Sequence, residues 1–133
     1  MILLDTHTLL WWQADGSRLS RTATRAIDGA ESILVSPVSF WEIGLLESKG
    51  RIHLDRDPYE WVQDVLRDER LLTAAMSPSA AMFAGRLPAL GFEGDSADAM
   101  IYATAMQERA PLVTKDQRVR LFAAERKHIR TLW

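Results

Sequence analysis

Short apolar runs separated by longer helical patterns set the rhythm of this chain. Residues 2–4 (Ile-Leu-Leu), 33–35 (Ile-Leu-Val) and 112–113 (Leu-Val) are brief, continuous and bounded by polar or turn residues; residues 71–74 repeat the pattern more weakly. Such runs lack the in–out alternation of a sheet wetted on one side. They predict strands of a parallel sheet covered on both faces. Residues 128–132 predict a fifth strand, at the edge.

Between the runs lie helical patterns with readable caps. Ser20 starts one that runs to about Gly29. Ser36 caps another, with Pro37 in its first position and Gly50 just beyond its end; the caps satisfy free N–H groups, and proline has none to lose there. Phe40, Ile43, Leu45 and Leu46 form the apolar stripe of that helix. Asp57-Pro58 and Ser77-Pro78 begin two more, the former with Trp61, Val62, Val65 and Leu66 inward. Asp95 or Ser96 caps a further helix whose Met100, Ile101, Ala103, Thr104 and Ala105 make a compact face. Strands alternating with helices predict an α/β fold with right-handed crossovers: a central parallel sheet of four or five strands with helices on both faces. No linker or repeat interrupts residues 1–133, so one domain is expected over that span.

Composition narrows the function. With 47% hydrophobic and 26% charged residues, an intrinsically disordered chain is excluded. The chain has no cysteine, which excludes a disulfide scaffold, a thiolate zinc site and a cysteine nucleophile. A net charge of −2 excludes nucleic-acid binding through bulk positive charge. Any such role needs a local basic rim or a bound cation. Asp5 breaks the apolar N-terminal run, so no signal peptide is expected, and no run approaches the roughly 18 residues of a membrane span. A cytoplasmic protein that makes no membrane contact is the expectation.

The acidic residues carry the chemistry. In α/β folds ligand sites lie at the carboxyl ends of strands. Asp5 directly follows the first predicted strand, and Asp116 follows the strand at 112–113 with Thr114 between. Glu42 sits in an apolar helical stretch, flanked by Phe40, Trp41 and Ile43. Asp95 and Asp98 lie three apart at a helix start, on one side of its first turn. Each also has a plain structural reading: a helix cap or turn for Asp5 and Asp116, a solvated face for Glu42, a capping box for the Asp95–Asp98 pair. Asp95 suits the cap, which leaves Asp98 to point elsewhere. Jointly, the acids would crowd one rim of the sheet, and like charges so placed need a compensating cation. Oxygen-only ligands select Mg²⁺ or Mn²⁺, ions that serve phosphoryl chemistry.

The blocks LLDTHTLLWW, VSPVSFWEIGLLESKGRI, SADAMIYATAM and LVTKD, in this order and nearly end to end, resemble the PIN domain. They resemble more closely the VapC-type toxins of toxin–antitoxin pairs. The resemblance implies a single PIN-like domain. It implies that Asp5, Asp98 and Asp116 are metal ligands, Asp116 directly or through water, and that Glu42 is a further catalytic acid of the site. Thr114 stands where the family places a supporting Ser or Thr, and Asp95 supports as a cap. It also implies a Mg²⁺- or Mn²⁺-dependent endoribonuclease with an RNA substrate, a cognate antitoxin protein and a homodimeric state. Family members carry a His and then Asp-Pro-Phe-Asp-Arg before the corresponding helix. Here Glu93 to Ala99 keeps both acids but not the His, Pro, aromatic or Arg, so substrate contacts made by those side chains do not transfer.

Arg18, Arg21, Lys49, Arg51, Lys115 and Arg118 are candidates for a backbone-binding rim. Trp11 and Trp12 offer base stacking, but aromatics beside an apolar run are read first as core or dimer interface. His7 is expected as a surface residue rather than a ligand. Two other classes compete. One is a PIN-like protein-binding module with a weak or silent metal site. The other is a phosphoryl-accepting switch on Asp5 or Asp116 with Lys115 beside it, which lacks the paired acid such domains need after the first strand.

Overall fold

The computed structural model describes all residues, 1–133. Five strands form one sheet: β1 (Ile2–Leu4), β2 (Ile33–Val35), β3 (Leu71–Thr73), β4 (Leu112–Val113) and β5 (Thr131–Leu132). Every pairing is parallel and the order is β3-β2-β1-β4-β5. Seven α-helices intervene: α1 (Thr6–Gln13), α2 (Arg21–Gly29), α3 (Pro37–Ser48), α4 (Pro58–Val65), α5 (Pro78–Arg86), α6 (Ser96–Glu108) and α7 (Gln117–Arg126). The predicted caps Ser20, Ser36, Asp57, Ser77 and Asp95 all accept hydrogen bonds from first-turn N–H groups.

β1, β2 and β4 are apolar throughout because both sheet faces are covered there, whereas the edge strands β3 and β5 are partly exposed and carry Thr73 and Thr131. Ile2, Leu4, Ile33, Val35 and Val113 join Leu9, Ile27, Ile43, Trp61 and Val65 on the face of α1–α4. Leu3, Leu34 and Leu112 point the other way, into a core with Ala80, Ala84, Tyr102 and Phe122 from α5–α7. Small residues let α6 pack closely against α5: Ala97, Ala99, Ala103 and Ala105 are all buried. Two inward assignments are corrected. Leu66 is 43% exposed because α4 ends at Val65, and Leu45 is 36% exposed on the outer flank of α3.

The chain moves one way across the sheet from β1 to β3, then crosses over to β4 on the other side of β1. The strand order therefore reverses between β1 and β4, and such a switch point opens a crevice at the carboxyl ends of the two strands. Asp5 and Thr114 are the residues that follow β1 and β4. No helix is long and apolar enough to cross a membrane.

Candidate active site

Asp5 leaves β1 and caps α1. One carboxylate oxygen accepts the Thr6 N–H at 2.7 Å, and the other accepts the Thr114 hydroxyl at 2.7 Å across the switch point. The Thr114 hydroxyl in turn accepts the Asp116 N–H at 3.1 Å. Asp5 is only 9% exposed. Burial raises its pKa above the ordinary value, partly offset by the hydrogen bonds from Thr114 and Thr6 and by the charge of His7, while Asp116 adds to the rise.

Glu42 is placed by its helix neighbour one turn back. Ser39 is fully buried and accepts a hydrogen bond from the Thr6 hydroxyl at 3.2 Å, which fixes α3 against α1. Three residues on, Glu42 shares that side of the helix and comes into the field of Asp5. Its pKa is raised by burial first, then by the charges of Asp95 and Asp5, while hydrogen bonding with the Thr6 side chain opposes the rise and the charge of His7 opposes it more weakly.

Asp95 and Asp98 form a reciprocal capping box: Asp95 accepts the Asp98 N–H at 2.9 Å, and Asp98 accepts the Asp95 N–H at 3.0 Å. The expectation that Asp98 is left free by Asp95 is therefore corrected. One Asp98 oxygen is spent on the cap, and only the other is available outward. Burial, followed by the charges of Asp5, Asp95 and Glu42, pushes the Asp98 carboxyl up to about 7.

Single carboxylate oxygens of Glu42, Asp95 and Asp98 lie within 4.8 Å of one another. Asp95, expected only as a cap, thus stands in the tightest acidic group. Asp5 adjoins that group and its charge acts on both Glu42 and Asp98. Asp116 stands apart: it caps α7 through Arg118 N–H at 2.9 Å and approaches the Arg118 guanidinium at 3.4 Å. That guanidinium, expected on a substrate rim, also reaches the Glu93 carbonyl at 3.4 Å.

The tight group is three carboxylates, Glu42, Asp95 and Asp98, with buried Asp5 adjoining, and it contains no sulfur and no imidazole. That is the chemistry of a hard divalent cation, and Asp5, Glu42 and Asp98 are all raised, by burial first and to a smaller extent by neighbouring acids. His7 is exposed and influences Asp5 and Glu42 through its charge alone. Two cavities flank the acids. One of about 310 Å³ is lined by Glu42 and Asp95 together with Trp41, Lys49 and Arg51. The other, about 830 Å³, lies between α1 and the segment before α4 and is lined by His7, Trp11, Arg18 and Arg51 among others. Of the remaining rim candidates, Lys115 sits over the Trp11 ring, and Arg21 lines neither cavity.

Gly94 is a residue to which the sequence pattern assigns no role. A Cβ there would stand 2.5 Å from Phe92 Cε1 and 2.7 Å from Asp98 Cβ. The absence of a side chain lets the loop close over Phe92 and sets Asp98 in place. Gly94→Ala is expected to cost roughly 1–3 kcal/mol of stability through overpacking. It should also weaken Mn²⁺ binding; denaturant melts and calorimetric titration check both.

Comparison with known proteins bears on the family and the fold. The PIN domain family profile matches residues 2–125. Ribonuclease VapC22 of Mycobacterium tuberculosis is 40% identical over 119 residues, covering 90% of this chain and 89% of that protein. Among solved structures, VapBC2 from Rickettsia felis bound to a promoter DNA fragment has a TM-score of 0.66 at 18% identity, covering 98% and 97% of the two chains. FitAcB from Neisseria gonorrhoeae has a TM-score of 0.61 at 23% identity, covering 98% and 96%. At those identities the structures bear on the fold.

Proposed function

Because the chain belongs to the PIN domain family, in its VapC branch, we propose that it is a divalent-cation-dependent endoribonuclease acting as the toxin of a toxin–antitoxin pair. The observation that carries the reading is the acidic group at the switch point, where Glu42, Asp95 and Asp98 approach within 4.8 Å beside buried Asp5. A 40% identical relative named as a ribonuclease supports the RNA substrate. A structural neighbour solved as a toxin–antitoxin complex from Klebsiella pneumoniae supports a protein antitoxin. A homodimer and a cytoplasmic setting follow from the same family reading.

Asp5, Glu42 and Asp98 would hold Mg²⁺ or Mn²⁺, with Asp95 close enough to join them and Asp116 at the edge of the group. When bound, the cation supplies water activation and charge neutralisation at a phosphodiester. The protein's own work is positional. Thr114 and the Thr6 N–H aim the two oxygens of Asp5, the capping box aims Asp98, and Ser39 seats the helix carrying Glu42. Lys49 and Arg51, beside Glu42 and Asp95, are suited to the phosphates on either side of the reacting one. The chain has no cysteine, and the Thr6 and Thr114 hydroxyls are engaged with Ser39 and Asp5, which favours direct attack by water.

Purified protein given cellular RNA in Mg²⁺ is expected to produce discrete new ends, mapped by end sequencing. Intact RNA at catalytic and at stoichiometric protein would overturn the reading. The protein-binding module remains the second reading, and calorimetric titration with Mn²⁺ separates the two, since a silent site returns no heat.

A further inference from the structure

Trp41 stands next to Glu42 in α3 and has no role in the core. The helix turns it away from its neighbour: Phe40 packs against the core of the α1–α4 face, whereas Trp41 is 56% exposed and joins neither core. The other four tryptophans are engaged. Trp11 and Trp133 meet each other's rings, Trp61 meets Phe40, and the Arg70 guanidinium lies over Trp12. The remaining cations that lie over rings belong to Trp11 and Phe122. Trp41 alone has neither a ring nor a cation against it, and it lines the cavity of about 310 Å³.

That cavity has acids of the candidate active site in its wall, because Glu42 and Asp95 line it together with Trp41. A phosphodiester that reaches those acids therefore brings one of its two flanking nucleotides into this space. Leu45, Leu46 and Ala97 make the rest of the lining apolar, and Ser96, Lys49 and Arg51 add polar groups. A nucleobase matches such a mixture, since its faces are apolar and its edges carry donors and acceptors. The ion pairs of the chain engage Arg56, Arg67, Arg70 and Arg118 and leave Lys49 and Arg51 free for phosphates. At about 310 Å³ the space is at the small end of ligand pockets, roughly 300–1,000 Å³, which suits one base and not a length of folded chain. A second copy of the chain seated on Trp41 and Leu45 would also take Glu42, Asp95, Lys49 and Arg51 out of water without supplying partners, which is costly. A base that arrives with its phosphates meets the cations.

We propose that this smaller cavity is a subsite for one base of single-stranded RNA: the base flanking the cleaved phosphodiester on the α3 side stacks on Trp41, and Lys49 and Arg51 hold its phosphates. The proposal rests on the nuclease reading and adds to it one position on the RNA that the protein selects by stacking. Purines, with the larger stacking surface, are favoured there.

The test uses a short single-stranded RNA carrying a mapped cleavage site, and a series in which each base around that site is removed in turn. With wild-type protein, one abasic position adjoining the cut is expected to lower kcat/KM by about ten- to a hundredfold, the scale of one base–aromatic stack. Trp41→Ala should lose a similar factor on the intact RNA and lose nothing further on that one abasic substrate. Trp41→Phe should recover most of the loss. A variant that is merely misfolded would lose activity equally on every substrate, so equal losses across the series overturn the subsite. Wild-type protein indifferent to every abasic position overturns it too. So does conversion of a dimer to a monomer by Trp41→Ala, read by sedimentation, which would make Trp41 part of a contact between copies. Wild-type hydrolysis of bis(p-nitrophenyl) phosphate in Mn²⁺, a diester with no nucleobase, examines the acidic group by itself. Turnover there without any Trp41 coupling on RNA removes the subsite and leaves the nuclease. No turnover on either substrate removes both.

Discussion

Asp5→Asn is expected to reduce RNA cleavage by a thousandfold or more while the protein stays folded. The buried carboxylate is the one acid that touches both halves of the switch point, through Thr6 and Thr114. Taking away its charge removes a ligand that Glu42 and Asp98 cannot replace, because one oxygen of Asp98 is engaged in its cap. A thousandfold is about 4 kcal/mol of transition-state stabilisation, within the several kcal/mol that cation-assisted charge neutralisation supplies. Stability should hardly move. Asparagine keeps an oxygen for the Thr6 N–H and preserves the cap. It loses the bond received from the Thr114 hydroxyl, worth about 1 kcal/mol, but it also removes a carboxylate whose burial opposes ionisation. Thermal melts should therefore coincide within a few degrees while cleavage disappears. Asp5→Asn that cleaves at the normal rate in Mg²⁺ would place the chemistry elsewhere in the molecule.

Much of this arrangement was legible in the chain because the three central strands are uniformly buried. Strands covered on both faces need no alternation, so three-residue apolar runs announced β1 and β2, and the two-residue run announced β4. The capped helices α2 to α6 carried their signals at Ser20, Ser36, Asp57, Ser77 and Asp95. Two helices were not read. In α1, Thr6, Thr8, Trp11 and Trp12 are weak helix formers, and its apolar residues spread around the axis because its far side faces α3 and the cavity. In α7 the signal was present and local: the Asp116 cap followed by Val119, Phe122 and Ala123, which are the buried positions. The acids were identifiable from their place after strands and at helix starts. What sequence order could not convey is that a carboxylate has two oxygens with separate duties, so that Asp98 both closes the capping box and faces the other acids. The larger cavity was hidden for a different reason. Its walls come from residues 7–18 and 51–61, which only the crossover brings together.

Removing divalent cations should abolish cleavage and also expose the strain in the acidic group as a pH-dependent loss of stability. The sign follows from Asp98, whose carboxyl rises from an ordinary 3.8 to about 7 in the folded protein. A folded pKa above the unfolded one favours the native state fully below about 3.8, and that advantage fades as pH climbs through about 7. Asp5 and Glu42 shift in the same direction and deepen the fall. In EDTA the melting temperature should accordingly decline between pH 5 and pH 8. Cations bind the deprotonated acids, so the increase in melting temperature on adding Mn²⁺ should be small at pH 5 and grow across the same interval. Asp98→Asn takes the titrating group out and should flatten both trends, which separates the acidic group from every other proton-binding residue. Cleavage at limiting Mn²⁺ should climb with pH and level off above about 7, where Asp98 is ionised. A Mn²⁺-induced shift of the same size at pH 5 and pH 8, or one that Asp98→Asn leaves intact, would mean that the cation is held somewhere other than between α3, α6 and the end of β1.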